Sequence, residues 1–190
     1  MVNWEFRCYD AVGSTNDLCK ELVVSDNARE GLVIMAESQK SGRGQKTSSW
    51  FSESGLGLYF SFVLTPSLPL SHFERFSVFV GAALCGFLNR RYPDIGFSVK
   101  EPNDILAGGK KLAGILVETV SKGANLSGIV TGIGLNLNHD SEDFPVELRN
   151  GATSIMQLTG KTTGRTEKQG IMQEFLSDFA TRYKENYHAL

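Results

Sequence analysis

The run from Leu126 to Asn138 alternates without a break. Ile129, Thr131, Ile133, Leu135 and Leu137 take one set of positions, and Gly128, Val130, Gly132, Gly134 and Asn136 take the other. A period of two belongs to a β-strand, whose successive side chains point to opposite faces of a sheet. One of these faces is bulky and suits burial, whereas the other is mostly small and would leave space above the sheet. The stretch Leu56 to Leu64 has the same period, with Leu56, Leu58, Phe60, Phe62 and Leu64 on one side.

Further elements follow from periodicity and punctuation. Asn3 to Val12 reads as a short strand. Gly13-Ser14-Thr15-Asn16-Asp17 then opens a helix with Leu18, Leu22 and Val23 on one face, and Ser14 and Asp17 are spaced as a capping box. Gly31 to Glu37 is a compact apolar strand. Pro66 and Pro69 end the Leu56–Leu64 strand, after which Phe73, Phe76, Val80, Leu84, Phe87 and Leu88 mark a helix running to Arg91. Gly96 to Lys100 and Leu112 to Val120 read as strands with Gly108-Gly109 as the turn between them, and connections this short favour antiparallel pairing. Ile171, Met172, Phe175, Leu176, Phe179, Tyr183 and Tyr187 predict a terminal helix of roughly five turns. The expected fold is α+β: a mixed, largely antiparallel sheet with packed helices, in a single domain spanning residues 1–190.

Charge narrows the function classes. A formal net charge of -2 and a pI of about 5.9 argue against holding nucleic acid by general phosphate neutralisation. Cys8, Cys19 and Cys85 form no metal or disulfide pattern and read as small buried hydrophobes. The first thirty residues lack a leader and no segment is apolar for about 18 residues, so no membrane association is expected and the cytoplasm is the default location.

Four segments carry polar chemistry. Gly42-Arg43-Gly44 could let backbone approach an anion while Arg43 offers forked donors, although a solvated loop fits the same residues. Asn103 and Asp104 follow Pro102 and could bind a hydrated Mg²⁺, although Pro-Asn-Asp is also ordinary turn chemistry. Of Lys110 and Lys111, which open a strand, at most one should face a site. Gly13-Ser14-Thr15-Asn16 and the small residues of 132–138 complete a set suited to a small polar acid beside a nucleotide. His72, His139 and His188 lie outside these segments and receive no chemistry.

Taken in order, GSTN (13–16), ESQKSGRGQKTSSWFSESGLGLYFS (37–61), KEPNDI (100–105), KKLAGILVE (110–118) and GIGLNLN (132–138) resemble the motifs of biotin protein ligases. The catalytic domain of that family has a class II aminoacyl-tRNA synthetase-like fold shared with lipoate ligases. The resemblance implies that biotin and ATP form biotinyl-5′-AMP with release of pyrophosphate. The biotinyl group then passes to one lysine of a biotin carboxyl carrier protein domain.

By motif position, Ser14, Thr15 and Gln39 would hydrogen-bond the biotin ureido ring, with Gly42, Gly114, Gly132 and Gly134 lining its pocket. Arg43 would hold the biotin carboxylate and phosphate, and Lys111 would bridge the carboxylate and the α-phosphate. Arg43, Lys111 and Asp104 are the implied catalytic residues. Gly44, Gln45, Lys46, Trp50, Asn103 and Asn136 would join Arg43 around ATP, with Trp50 stacking near the adenine or organising the loop. Asp104 and Asn136 would place Mg²⁺.

The chain departs from the family in three respects. Glu101 replaces a common tryptophan, which would put a carboxylate near the site. Gln45, Thr47 and Ser48 replace two arginines and a glycine in the loop, leaving Lys46 to supply part of the charge. The small C-terminal β-barrel and N-terminal DNA-binding domain of longer relatives are expected to be absent, so no nucleic-acid role is expected. A lipoate or octanoate ligase or transferase and a non-catalytic biotin or nucleotide binder are the alternatives. The oligomeric state stays open, with a homodimer one candidate.

Overall fold

A computed structural model describes residues 2–65, 73–122 and 125–186. His72, Tyr187, His188 and the two prolines expected to end the Leu56–Leu64 strand lie outside them. The strands are β1 (Glu5–Val12), β2 (Leu32–Gln39), β3 (Gly57–Leu64), β4 (Phe97–Lys100), β5 (Asp104–Ala107), β6 (Lys110–Lys122) and β7 (Asn125–Asn136). The helices are α1 (Thr15–Val24), α2 (Phe73–Arg91), α3 (Ile155–Thr159) and α4 (Arg165–Asn186). The seven strands form one sheet in the order β1-β2-β3-β7-β6-β5-β4. β1 and β2, joined across α1, are parallel, and every other neighbouring pair is antiparallel. The mixed, largely antiparallel α+β architecture is the expected one.

The two faces of the sheet are unequal. Leu58, Phe60, Phe62 and Leu64 of β3 pack with Ile129, Ile133 and Leu135 of β7 beneath α2 and α4. There Phe60, Phe62, Phe175 and Phe179 interlock with ring centroids 5.2 to 6.4 Å apart. The opposite face is covered by α1, whose Cys19 and Val23 bury against Ile34, Val63 and Val130. β3 is therefore buried on both faces along its whole length.

Three local expectations change. A strand the pattern did not predict, β5, lies between the cis Glu101–Pro102 peptide and Gly108, so the Gly108-Gly109 turn joins β5 to β6. The four residues of β5 lie between Pro-Asn and Gly-Gly, which read as turn chemistry. Cys8 is exposed on the edge strand β1, whereas Cys19 and Cys85 are buried as expected. Half of the capping box forms: Ser14 accepts the Asp17 N–H at 3.4 Å, while the Asp17 carboxylate pairs with Lys20 and Arg43 instead. No helix among the described residues is long and apolar enough to cross a membrane.

Candidate active site

The small-residue face of β7 opens a cavity of about 440 Å³ next to α1. A Cβ added at Gly132 would overlap Asn16, and one at Gly114 or Gly134 would overlap the indole of Trp50. The glycines thus let a helix start and an aromatic ring approach the strands more closely than any side chain would permit. Together with α1, the loop 43–51 and the segment 144–152 they wall a single compartment.

Its floor is polar and ordered. Gln39 Oε1 accepts the Thr15 N–H at 2.8 Å, and Gln39 Nε2 donates to Ser52 Oγ at 2.9 Å. Ser61 Oγ lies 2.7 Å from Thr15 Oγ1 and 2.6 Å from Asn16 Oδ1. Ser14, Thr15 and Asn16 are buried at the first turn of α1, which their capping sequence starts where the compartment needs compact polar groups.

Lys111 and Asp104 form the charged wall. The ammonium is 2.7 Å from Asp104 Oδ1 and 5.3 Å from the centre of the Trp50 ring. Strand alternation puts Lys110 outside in solvent and Lys111 inside, and the Lys111 backbone is braced independently of its side chain. Its N–H donates to Gly151 O at 2.7 Å and its carbonyl accepts from Thr153 N at 2.9 Å. Asn103 pairs with both backbone groups of Ile115, and Asn136 Nδ2 donates to Thr153 O at 3.0 Å. Both asparagines brace the wall while lining the cavity.

Arg43 sits in a charge cluster. Its Nη2 is 2.8 Å from Asp17 Oδ1 and 2.5 Å from Glu118 Oε2, and its Nε donates to Asp17 Oδ2 at 3.1 Å. Glu118 also accepts from Lys20 at 2.9 Å and from Asn16 Nδ2 at 2.8 Å. Burial pushes the Glu118 carboxyl up, but the hydrogen bonds from Arg43, Asn16 and Lys20 together outweigh it and hold the carboxyl below its ordinary range. The Glu118 hydrogen bond is likewise the main reason that the Arg43 pKa is raised.

The structure gathers Ser14, Thr15, Gln39, Arg43, Gly44, Gln45, Trp50, Asn103, Asp104, Lys111, Gly114, Gly132, Gly134 and Asn136 around one cavity. Gly42 is buried just behind it, where a Cβ would strike Ser52 and the Trp50 carbonyl. Lys46 is exposed at positive φ and is not part of the lining. Glu101 is likewise exposed and off the lining, so the substituted tryptophan position does not bring its carboxylate into the site. Trp50 rests on the glycine face and under Lys111. Asp104 and Asn136 reach the same cavity, and the described residues contain no cluster of three or more His, Cys, Asp or Glu side chains placed to hold a metal ion.

Sequence reasoning placed Asn16 in a polar segment without a role and missed Asp17 and Glu118 as members of the polar framework, because their partners lie as far as 102 residues away. It also missed the wall formed by Phe144, Leu148 and Ala152. His139, buried with neither ring nitrogen bonded, stacks on Phe144 at 4.5 Å with the rings 6° from parallel. Burial pushes its pKa down from 6.5 to about 4. The unfolded chain therefore binds more protons over this window, and stability falls as pH drops from 6.5 towards 4. Urea unfolding should show a loss of about 2 kcal/mol between pH 7 and pH 5 that His139→Phe largely removes. An unchanged slope in that variant would assign the loss elsewhere.

Comparison with known proteins places this geometry. A model of the biotin/lipoate A/B protein ligase family matches residues 9–136. The bifunctional ligase/repressor BirA of Bacillus spizizenii is 34% identical over 176 residues, 93% of this chain and 53% of the relative. The biotin--[acetyl-CoA-carboxylase] ligase of Mycobacterium tuberculosis is 31% identical over 149 residues, covering 77% and 53%. The chain thus spans about half the length of these curated relatives. The Aquifex aeolicus biotin protein ligase in complex with biotin and ATP matches with a TM-score of 0.80 at 30% identity, over 95% of this chain and 72% of that one.

Proposed function

The chain belongs to the biotin/lipoate A/B protein ligase family, and from that premise we propose that it activates biotin with ATP and passes the biotinyl group to a lysine of a carrier domain in a biotin-dependent carboxylase. The observation that carries this reading is the pairing of a polar floor at Thr15 and Gln39, backed by the buried Ser61, with a cationic wall at Lys111 in one cavity. A ureido ring has N–H and C=O groups to satisfy such a floor. A dithiolane has neither and would leave acceptor lone pairs of the floor without a partner, which favours biotin over lipoate.

The first step joins the biotin carboxylate to the α-phosphorus of ATP and expels pyrophosphate. Two anions must meet, and Lys111, already beside Asp104 and above the indole, is placed to accept charge from both. Arg43 reaches the cavity lining from the loop, and its Nη1 makes neither of the bonds to Asp17 and Glu118. In the second step a lysine amine attacks the acyl carbon of the mixed anhydride and AMP leaves. Trp50 and the glycine face would shield the anhydride from water meanwhile.

Mg²⁺ would arrive with the triphosphate. A single carboxylate suits it, since Mg²⁺ usually takes one or two carboxylates with phosphate oxygens and water, and Asp104 is a carboxylate of the lining. There it would supply charge screening and a fixed polyphosphate geometry.

Pyrophosphate release, measured with ATP and Mg²⁺ and either biotin or lipoate, tests the first half-reaction. Mass spectrometry of a carrier domain tests the second. Biotin-dependent release followed by a biotinyl-lysine adduct is expected. Release that depends on lipoate alone, or biotin binding without release, overturns the proposal.

A further inference from the structure

Thr15, Ser61 and Asn16 bring three oxygens into contact, with Ser61 between two residues of the cavity lining. Ser61 is wholly buried and does not itself line the cavity. Its two contacts, 2.7 Å to Thr15 Oγ1 and 2.6 Å to Asn16 Oδ1, each require a hydrogen between the oxygens. A hydroxyl has one proton, so the order in which the protons point can be worked out from the ends.

At the Asn16 end, Nδ2 donates to Glu118 Oε2 at 2.8 Å and to Leu116 O at 3.3 Å. Both partners are acceptors, so the amide cannot be rotated without setting its oxygen against them. Glu118 is kept ionised by Arg43 and Lys20. Asn16 Oδ1 therefore has no proton to give, and Ser61 must donate to it. The Thr15–Ser61 contact is then made by the Thr15 proton.

At the Thr15 end, Gln39 Oε1 accepts the Thr15 N–H at 2.8 Å, and its 3.1 Å separation from Thr15 Oγ1 is longer than either Ser61 contact, so the Thr15 proton goes to the shorter one. The Gln39 amide is fixed separately by its donation to Ser52 Oγ, whose own proton goes to the Trp50 carbonyl at 3.0 Å.

We infer that Ser61 and Asn16, anchored by Glu118, are positioning residues that turn the Thr15 hydroxyl into the protein and leave Thr15 Oγ1 as an acceptor for an N–H of the ligand. The inference rests on the biotin reading and deepens it, because it assigns the polarity by which the floor selects a cyclic urea. A ring oxygen in place of that N–H would face a lone pair, and a thioether or disulfide ring would leave the lone pair buried without a partner.

The test compares ligands that differ in that one group. Calorimetry is run with biotin and with its two carbamate analogues, in each of which one ureido N–H is replaced by oxygen. The fragments 2-imidazolidinone and 2-oxazolidinone are titrated in parallel. The wild type is expected to prefer the urea by about 10²-fold over at least one carbamate. Ser61→Ala and Ser61→Cys free the Thr15 proton to turn, so the preference should shrink about tenfold in whichever of them folds. Thr15→Val should abolish it. A general loosening of the site would weaken both ligands and leave their ratio in place. No urea preference in the wild type with either ligand pair overturns the inference. So does a preference unchanged in the Ser61 variants, or one that survives Thr15→Val. A urea preference seen with the fragments but no binding of biotin sinks the biotin reading and leaves the relay standing.

Discussion

Lys111→Ala is expected to slow biotin-dependent pyrophosphate release by about 10²–10³-fold with little change in the thermal midpoint. The two halves of this expectation have separate structural causes. The Lys111 backbone is held by Gly151 and Thr153 whatever the side chain, and the side chain is about a third exposed, so the fold does not depend on it. The chemistry does, because negative charge gathers on the α-phosphate as the carboxylate adds, and a group that binds this charge more strongly in the transition state than in the ground state lowers the barrier. The loss should fall mainly on kcat.

Part of the loss would come from Asp104. Deprived of its 2.7 Å partner, this carboxylate of the cavity lining would face the anionic reactants uncompensated. The double variant Lys111→Ala/Asp104→Asn should therefore recover some of the rate lost by the single one, a non-additivity expected of residues in direct contact. Single-turnover measurement of pyrophosphate from both variants checks this. Wild-type turnover by Lys111→Ala removes the lysine from the mechanism.

Legibility in the sequence followed the range of the interactions. The alternation in β3 and β7 is a local property of the chain, so the strands, their buried face and the open space above β7 were readable from residue spacing. Local capping chemistry likewise placed Ser14 and Thr15 at a helix start. The family resemblance carried by the order of motifs implied that Lys111, Asp104 and the glycines share one site, and the structure places them around one cavity.

What stayed hidden depends on distant partners or on short strands enclosed by turn residues. β5 is four residues long. Arg43 read as a donor to the anionic ligand, and its seat between Asp17 and Glu118 was not foreseen, because no spacing along the chain encodes that triad. His139 was set aside because it lies outside the motifs. Its contact is an apolar stack on the wall residue Phe144, and burial is the main cause of its lowered pKa.

Gly134→Val is expected to leave the sheet intact and weaken biotin binding by at least about 10²-fold. Valine is a better strand residue than glycine, and β7 is clamped between β3 and β6, so the backbone at residue 134 stays where it is. The side chain then has no room, since even a Cβ there would overlap the Trp50 indole. Trp50 must leave the glycine face, and with it goes the ring beneath Lys111. With two tryptophans in the chain, a Trp4→Phe background isolates the Trp50 emission, which should shift to the red as the indole enters water. The glycine and the indole then form one contact, so the double variant Gly134→Val/Trp50→Ala should bind biotin no more weakly than Gly134→Val alone. If Gly134→Val binds biotin as the wild type does, the glycine face is only a packing surface for the ring, and the cavity above β7 is not where the ligand sits.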